Sequence, residues 1–159
     1  MSSDKPKDNI NIRVDLTRDL SPSIMQWVDI VETGNDIARV YAESKRWTTK
    51  LDLRIDWTLS PKISFQGFFQ PFHAKMEYND FNYLLEEKTM DLSSFDYGSD
   101  PGFRLRKSIG TFVLRWEYSP GSTLFLVYNL NESANFENDL DSWDRSSSNA
   151  LYFKISYWL

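Results

Sequence analysis

The chain has 159 residues, of which 41% are hydrophobic, 26% charged and 16% aromatic, with a formal net charge of −5 and no cysteine. That length holds one domain rather than two, the composition excludes a disordered chain, and an acidic balance without runs of Lys and Arg argues against a nucleic-acid partner. Disulfides, thiolate nucleophiles and Cys-ligated metals are excluded, and no apolar run reaches the roughly 20 residues of a membrane helix.

Residues 1–8 are polar and read as a disordered tail. They contain no apolar signal-peptide core, so an exported chain is expected here in a mature or partial form. Residues 9–18 place Ile10, Ile12, Val14 and Leu16 at every second position, the period at which side chains share one face of a strand. Ser21-Pro22 then predicts a turn into a second strand, 23–32, with no cleanly apolar face. A polar loop is expected over 33–46.

The pattern is sharpest over 47–59. Trp47, Thr49, Leu51, Leu53, Ile55, Trp57 and Leu59 share one face, and Lys50, Asp52, Arg54 and Asp56 lie on the other. Strict alternation over such a length suits a wall between hydrocarbon and a wet lumen, because strands of soluble proteins average about five or six residues. Ser60-Pro61 predicts a turn into a strand over 63–72, followed by a long loop over 73–108. Strands 109–118 and 122–130 are joined at Ser119-Pro120-Gly121, with Phe112, Leu114, Trp116 and Tyr118 on one face of the first and Leu124, Leu126, Tyr128 and Leu130 on one face of the second. After a loop over 131–149, the strand 150–159 alternates Leu151, Phe153, Ile155, Tyr157 and Leu159 with Tyr152, Lys154, Ser156 and Trp158.

Together these elements predict an all-β fold, an antiparallel up-and-down meander of about seven long strands over 9–159 that is part of a transmembrane β-barrel. Short turns at one end and long loops at the other is the asymmetry of outer-membrane barrels, with the short turns periplasmic. Seven strands are fewer than the eight of the smallest such barrels. The remaining strands are therefore expected from a longer parent chain, of which this would be the C-terminal part.

Lys50, Asp52, Arg54, Asp56, Arg115 and Glu117 are expected to face the lumen, pairing across neighbouring strands. Trp57, Tyr118, Tyr157 and Trp158 lie near the Ser-Pro ends of their strands and are expected to form an aromatic girdle at the headgroup level. No catalytic, cofactor or metal site is assigned, and the chain is read as a non-enzyme. His73, the one histidine, opens the expected loop 73–108, and neither Ser64 nor Ser93 is fixed beside it as a nucleophile. Asp139, Asp141 and Asp144 lack the glycine spacing of a calcium loop. The rival to the barrel is a soluble antiparallel β-sandwich or small barrel that binds a ligand or glycan.

Several runs carry a resemblance to a known family: Leu53-Arg54-Ile55-Asp56-Trp57-Thr58-Leu59-Ser60-Pro61-Lys62-Ile63-Ser64-Phe65-Gln66, then Gln70-Pro71-Phe72, then Val113 to Val127, which includes Arg115-Trp116-Glu117-Tyr118-Ser119-Pro120-Gly121-Ser122, and finally Lys154-Ile155-Ser156-Tyr157-Trp158. On these, the stretch from Arg39 to Leu159 is similar to the end of a family of outer-membrane proteins of unknown function that carry an N-terminal carbohydrate-binding family 9-like module before a large C-terminal barrel. The resemblance implies a bacterial outer-membrane location, and it supplies no activity. The binding module has no counterpart here. The expected partners are outer-membrane lipid, the barrel-assembly machinery that would read the final strand, and the parent's other strands.

Overall fold

Strands that alternate this regularly, joined by tight Pro-containing turns, pair with their sequence neighbours before anything more distant. The computed structural model describes residues 9–33, 36–86, 91–138 and 140–158 and shows that arrangement. Its strands are β1 (Ile10–Thr33), β2 (Asp36–Ser60), β3 (Ile63–Glu86), β4 (Asp91–Ser94), β5 (Phe103–Ser119), β6 (Ser122–Glu137), β7 (Ser142–Ser147) and β8 (Ala150–Ser156). They form one antiparallel sheet in the order β1-β2-β3-β5-β6-β7, with β4 beside β3 and β8 beside β6. No helix occurs among the described residues. The expected tail, 1–8, lies outside the described residues.

Eight strands occupy six positions across the sheet. β5 pairs with Ile63–Met76 of β3, and β4 takes the same edge higher up, opposite Asn82–Glu86. In the same way β8 lies against Thr123–Asn129 of β6 and β7 against Glu132–Glu137. The sheet is not closed: among the described residues no strand flanks the outer edge of β1 or of β7 and β8.

Two of the three Ser-Pro pairs are hairpin tips, at Ser60-Pro61 between β2 and β3 and at Ser119-Pro120 between β5 and β6. Gly121, with φ 74°, closes the second in a conformation that side chains with a Cβ rarely adopt. The third expectation is overturned. Ser21-Pro22 lies inside β1, which runs unbroken from Ile10 to Thr33 and pairs with β2 throughout, so 9–18 and 23–32 are one strand and not a hairpin. The register shifts between Ser21 and Ile24. A bulge on an edge strand is a place where a residue without an N–H can sit without breaking the ladder.

The three long loops are also overturned. β2 begins at Asp36, β3 continues to Glu86, and β6 continues to Glu137 with β7 beside it, so most of 33–46, 73–86 and 131–149 is strand. These stretches are polar on both faces, which hides the alternation. The ladder needs only backbone groups, and it is reinforced by cross-strand neighbours such as Trp27 opposite Tyr41 and Phe136 opposite Trp143. Strands of 24 or 25 residues are about 80 Å long at roughly 3.3 Å per residue.

Of the buried apolar side chains, Val40 and Ala42 sit in this upper half and Ala74 just below it, opposite Thr48. The Tyr97 ring stacks on Phe81 of β3 at 5.1 Å between centroids, and its hydroxyl donates to Asp29 of β1 at 2.7 Å. Tyr97 therefore crosses over β2, and Val40 and Ala42 beneath it are 0% exposed. Elsewhere, among the described residues, the sheet has no second layer. The chain exposes 11964 Å², against about 8,300 Å² for a folded monomer of 18.7 kDa.

Candidate functional site

Register decides whether apolar stripes on separate strands become one surface, and here they align. Ile12, Ile55, Gly67, Phe112, Tyr128 and Leu151 stand in one row across β1, β2, β3, β5, β6 and β8. The row on the turn side is Ile10, Trp57, Phe65, Leu114, Leu126 and Phe153, and the row beyond holds Val14, Leu53, Phe69, Gly110 and Leu130. Phe65 and Phe112 stack at 6.4 Å and Phe112 and Tyr128 at 6.3 Å. Gly67 lies between Phe65 and Phe112, and a Cβ there would stand 3.3 Å from the Phe112 ring. These apolar side chains are open to the surroundings, with Leu16 at 69%, Leu151 at 67% and Phe153 at 64% exposure.

The opposite face carries the six residues expected to face a lumen. Lys50, Asp52, Arg54 and Asp56 share it with Arg115 and Glu117, since Arg115 stands opposite Ser64 and Ser64 opposite Thr58. Their pairing differs from expectation. Lys50 binds Asp52 at 2.9 Å and Arg115 binds Glu117 at 3.3 Å, each along its own strand. Contacts across strands come from amides: Gln66 donates to Asp56 at 3.2 Å and Gln70 donates to Asp52. Arg54 lies over the Phe68 ring at 5.2 Å. Direct cross-strand ion pairing fails at β1 because the register sets Arg13 opposite Arg54 and Asp15 opposite Asp52, and like charges directly opposite disfavour one another.

All four expected girdle residues lie at the Ser-Pro end. Trp57 stands three residues before Ser60 and shares a row with Phe65. The Tyr118 hydroxyl donates to the Ser156 carbonyl at 3.1 Å, and Trp158 packs on Gly121 while its N–H donates to Ser122 at 3.0 Å. Tyr157 follows β8 and is 70% exposed. Trp116, which meets Tyr118 edge to face at 6.1 Å, belongs with them. A second aromatic level was not legible in the sequence. Trp47, Phe136 and Trp143 share one row across β2, β6 and β7 on the apolar face, beyond the apolar rows and past the row that holds Arg18, His73, Arg106 and Arg145.

His73 is not in a loop. It lies within β3 between Thr49 and Arg106, on the apolar face. Ser64 is nine residues down the same strand and on the opposite face, about 30 Å away at roughly 3.3 Å per residue, while Ser93 sits in β4 opposite Tyr83. No serine–histidine pair forms from these three. Among the described residues no group of three His, Asp or Glu could hold a metal ion; Asp139 lies outside them, and Asp141 occupies the turn before β7 with φ 44°.

In the upper half, Asp29 has its pKa held below the ordinary carboxylate value by the Tyr97 hydroxyl and then by the Ile30 N–H. Tyr78, opposite the buried Ser44, has its pKa raised by loss of solvent. Comparison with known proteins returns no match to any family model, curated protein or solved structure.

Proposed function

We propose that this chain is a section of wall of a bacterial outer-membrane β-barrel, with a structural role or a part in transport and no catalytic role. The reading rests on one observation, the aromatic levels that lie on either side of the apolar rows, the Trp47 level one row beyond the cations that edge them. Trp47 and Trp57 are ten residues apart on β2, roughly 33 Å along the strand and roughly 25 Å along the membrane normal at a tilt of about 40°. An apolar band of about 25 Å between two aromatic girdles is the outer surface of such barrels. The excess exposed surface and the absence of a second layer support the same reading, since lipid would cover the apolar face.

On this reading the turns at Ser60-Pro61 and Ser119-Pro120 are periplasmic, and the upper halves of β1, β2 and β3 extend beyond the opposite leaflet. The charged face lines the lumen. The open edges of β1 and of β7 and β8 pair with the remaining strands of the barrel, and the apolar row of β8 serves as the signal for the barrel-assembly machinery. In the barrel, pairing along these edges satisfies backbone groups that hydrocarbon would otherwise leave bare.

The absence of cysteine allows single-cysteine scanning with a polarity-sensitive label at positions 111–116, with the chain reconstituted in phosphatidylcholine vesicles. The expected result is an alternation, with positions 112, 114 and 116 in hydrocarbon and 111, 113 and 115 in water. Uniform water exposure, together with a compact monomer in plain buffer, would overturn the proposal and favour the ligand-binding sandwich.

A further inference from the structure

Beyond the apolar rows the same face changes character. Past Leu16 and Leu51 of β1 and β2, and Pro71, Ser108, Glu132 and Ser147 of β3, β5, β6 and β7, comes a row of Arg18, Thr49, His73, Arg106, Ala134 and Arg145, and the row after it is Leu20, Trp47, Lys75, Arg104, Phe136 and Trp143. Five permanent cations and a histidine from four strands thus line up on the boundary of the apolar surface, in a chain whose net charge is −5. Six strand positions about 4.8 Å apart make this belt roughly 24 Å wide.

The cations are held ready for an anion. Arg104 lies over the Phe136 ring at 5.1 Å, Arg106 over Trp143 at 4.7 Å and Lys75 over Trp47 at 5.5 Å. Stacking fixes a guanidinium plane and leaves its N–H edge free for a bidentate acceptor. Of the carboxylates on this face, Glu77 pairs with Lys75, Glu132 accepts from Asn149 and Glu43 accepts from Ser23. Among the described residues none of Arg18, Arg104, Arg106 and Arg145 forms an ion pair. Two open depressions flank Arg106 and Ser108. One, of about 310 Å³, runs to His73 and Pro71; the other, of about 350 Å³, runs to Arg145 and Ser147.

We infer that this belt binds the phosphorylated headgroups of lipids whose acyl chains lie on the apolar rows below it, in the leaflet opposite the Ser-Pro turns. The inference rests on the proposed membrane reading. A phosphate carries the charge and the paired oxygens that a stacked arginine fits. Only an amphiphile would also use the aliphatic surface directly beneath, from Leu16 and Leu51 to Val14 and Leu53, which a free anion leaves unused.

The test reconstitutes the full chain in phosphatidylcholine vesicles containing either lipid A or dephosphorylated lipid A, and reads two signals. Tryptophan quenching by brominated acyl chains reports insertion, and retention of fluorescent lipid A against competitor reports headgroup binding. R18Q/R106Q/R145Q alters three exposed side chains of the belt, and K50Q/R54Q/R115Q removes the same charge from the opposite face. The expected result is equal insertion of all three proteins and selective retention of the phosphorylated lipid. The belt variant loses about fivefold per arginine, roughly a hundredfold in all, and the opposite-face variant behaves as the parent. Insertion without preference for phosphate, or equal loss in both variants, would overturn the inference and leave the membrane reading standing. Displacement of lipid A by millimolar inorganic phosphate would also overturn it, by showing a site for small anions. Failure to insert would remove the membrane reading and the inference together.

Discussion

The lower half of the sheet, between the Ser-Pro turns and the row of Trp47, and the upper half beyond it are built from the same strands by opposite rules. Below, apolar side chains on one face have no protein covering them, and the charged face is tied by ion pairs along each strand and by glutamines across strands. Above, Tyr97 crosses the sheet and shuts Val40 and Ala42 away from solvent, forming a small core of the protein's own making. The difference shows that one ladder can carry two kinds of surface: the upper half holds a small core beside exposed Ile24, Trp27 and Ile30, and the lower half presents apolar rows that its own described residues leave open.

The sharpest way to break this contrast is to place a charge in the lower half. Leu53→Arg, at the middle of the apolar rows, is expected to destabilise the vesicle-bound protein by about 2–4 kcal/mol, read from urea unfolding in phosphatidylcholine. A change below about 0.5 kcal/mol would mean that this face does not meet hydrocarbon. The corresponding test of the upper half is Val40→Ala, which removes two buried carbons and is expected to cost about 2 kcal/mol. Hydrogen exchange should show the loss confined to the upper parts of β1 and β2, with the lower half unaltered.

A smaller effect should follow from Tyr97→Phe, which removes the hydroxyl from Asp29 and is expected to cost less than about 1 kcal/mol. It also tests the pH dependence of the upper half. Because the folded-state pKa of Asp29 lies below its ordinary value of 3.8, its contribution is present above that value and is lost as pH falls through the folded pKa. The parent should therefore lose hydrogen-exchange protection in the upper half below about pH 4, and the Phe variant should lose less over the same range. An identical acid response in both proteins would show that Tyr97 does not hold the carboxylate. Least of all should change on Gly67→Ala, where the Phe112 ring must yield by a few tenths of an ångström. A shift in near-ultraviolet dichroism at nearly constant stability is the expected readout.

Alternation along the chain was enough to assign the lower parts of β2, β5, β6 and β8, and to say which side chains share each face. The physical reason is local: a period of two follows from strand geometry whatever the strand pairs with. The tips at Ser60-Pro61 and Ser119-Pro120 were legible because a two-sided pattern stops on either side of each proline. Ser21-Pro22 looked the same, and only pairing with β2 showed it to be a bulge on an edge strand. Nor could the sequence show that the polar stretches after Lys75 and before Trp47 pair, because neither face there is apolar enough to announce a strand.

Register across strands belonged wholly to the tertiary structure. Arg18, His73, Arg106 and Arg145 are scattered along the chain and look like isolated polar positions. They become a belt because the turns and ladders place them in one row, and the same alignment sets Trp47 level with Trp143. A single strand determines which of its side chains share a face; how high each stands against its neighbours is decided by hydrogen bonds between strands, whose partners lie far along the chain.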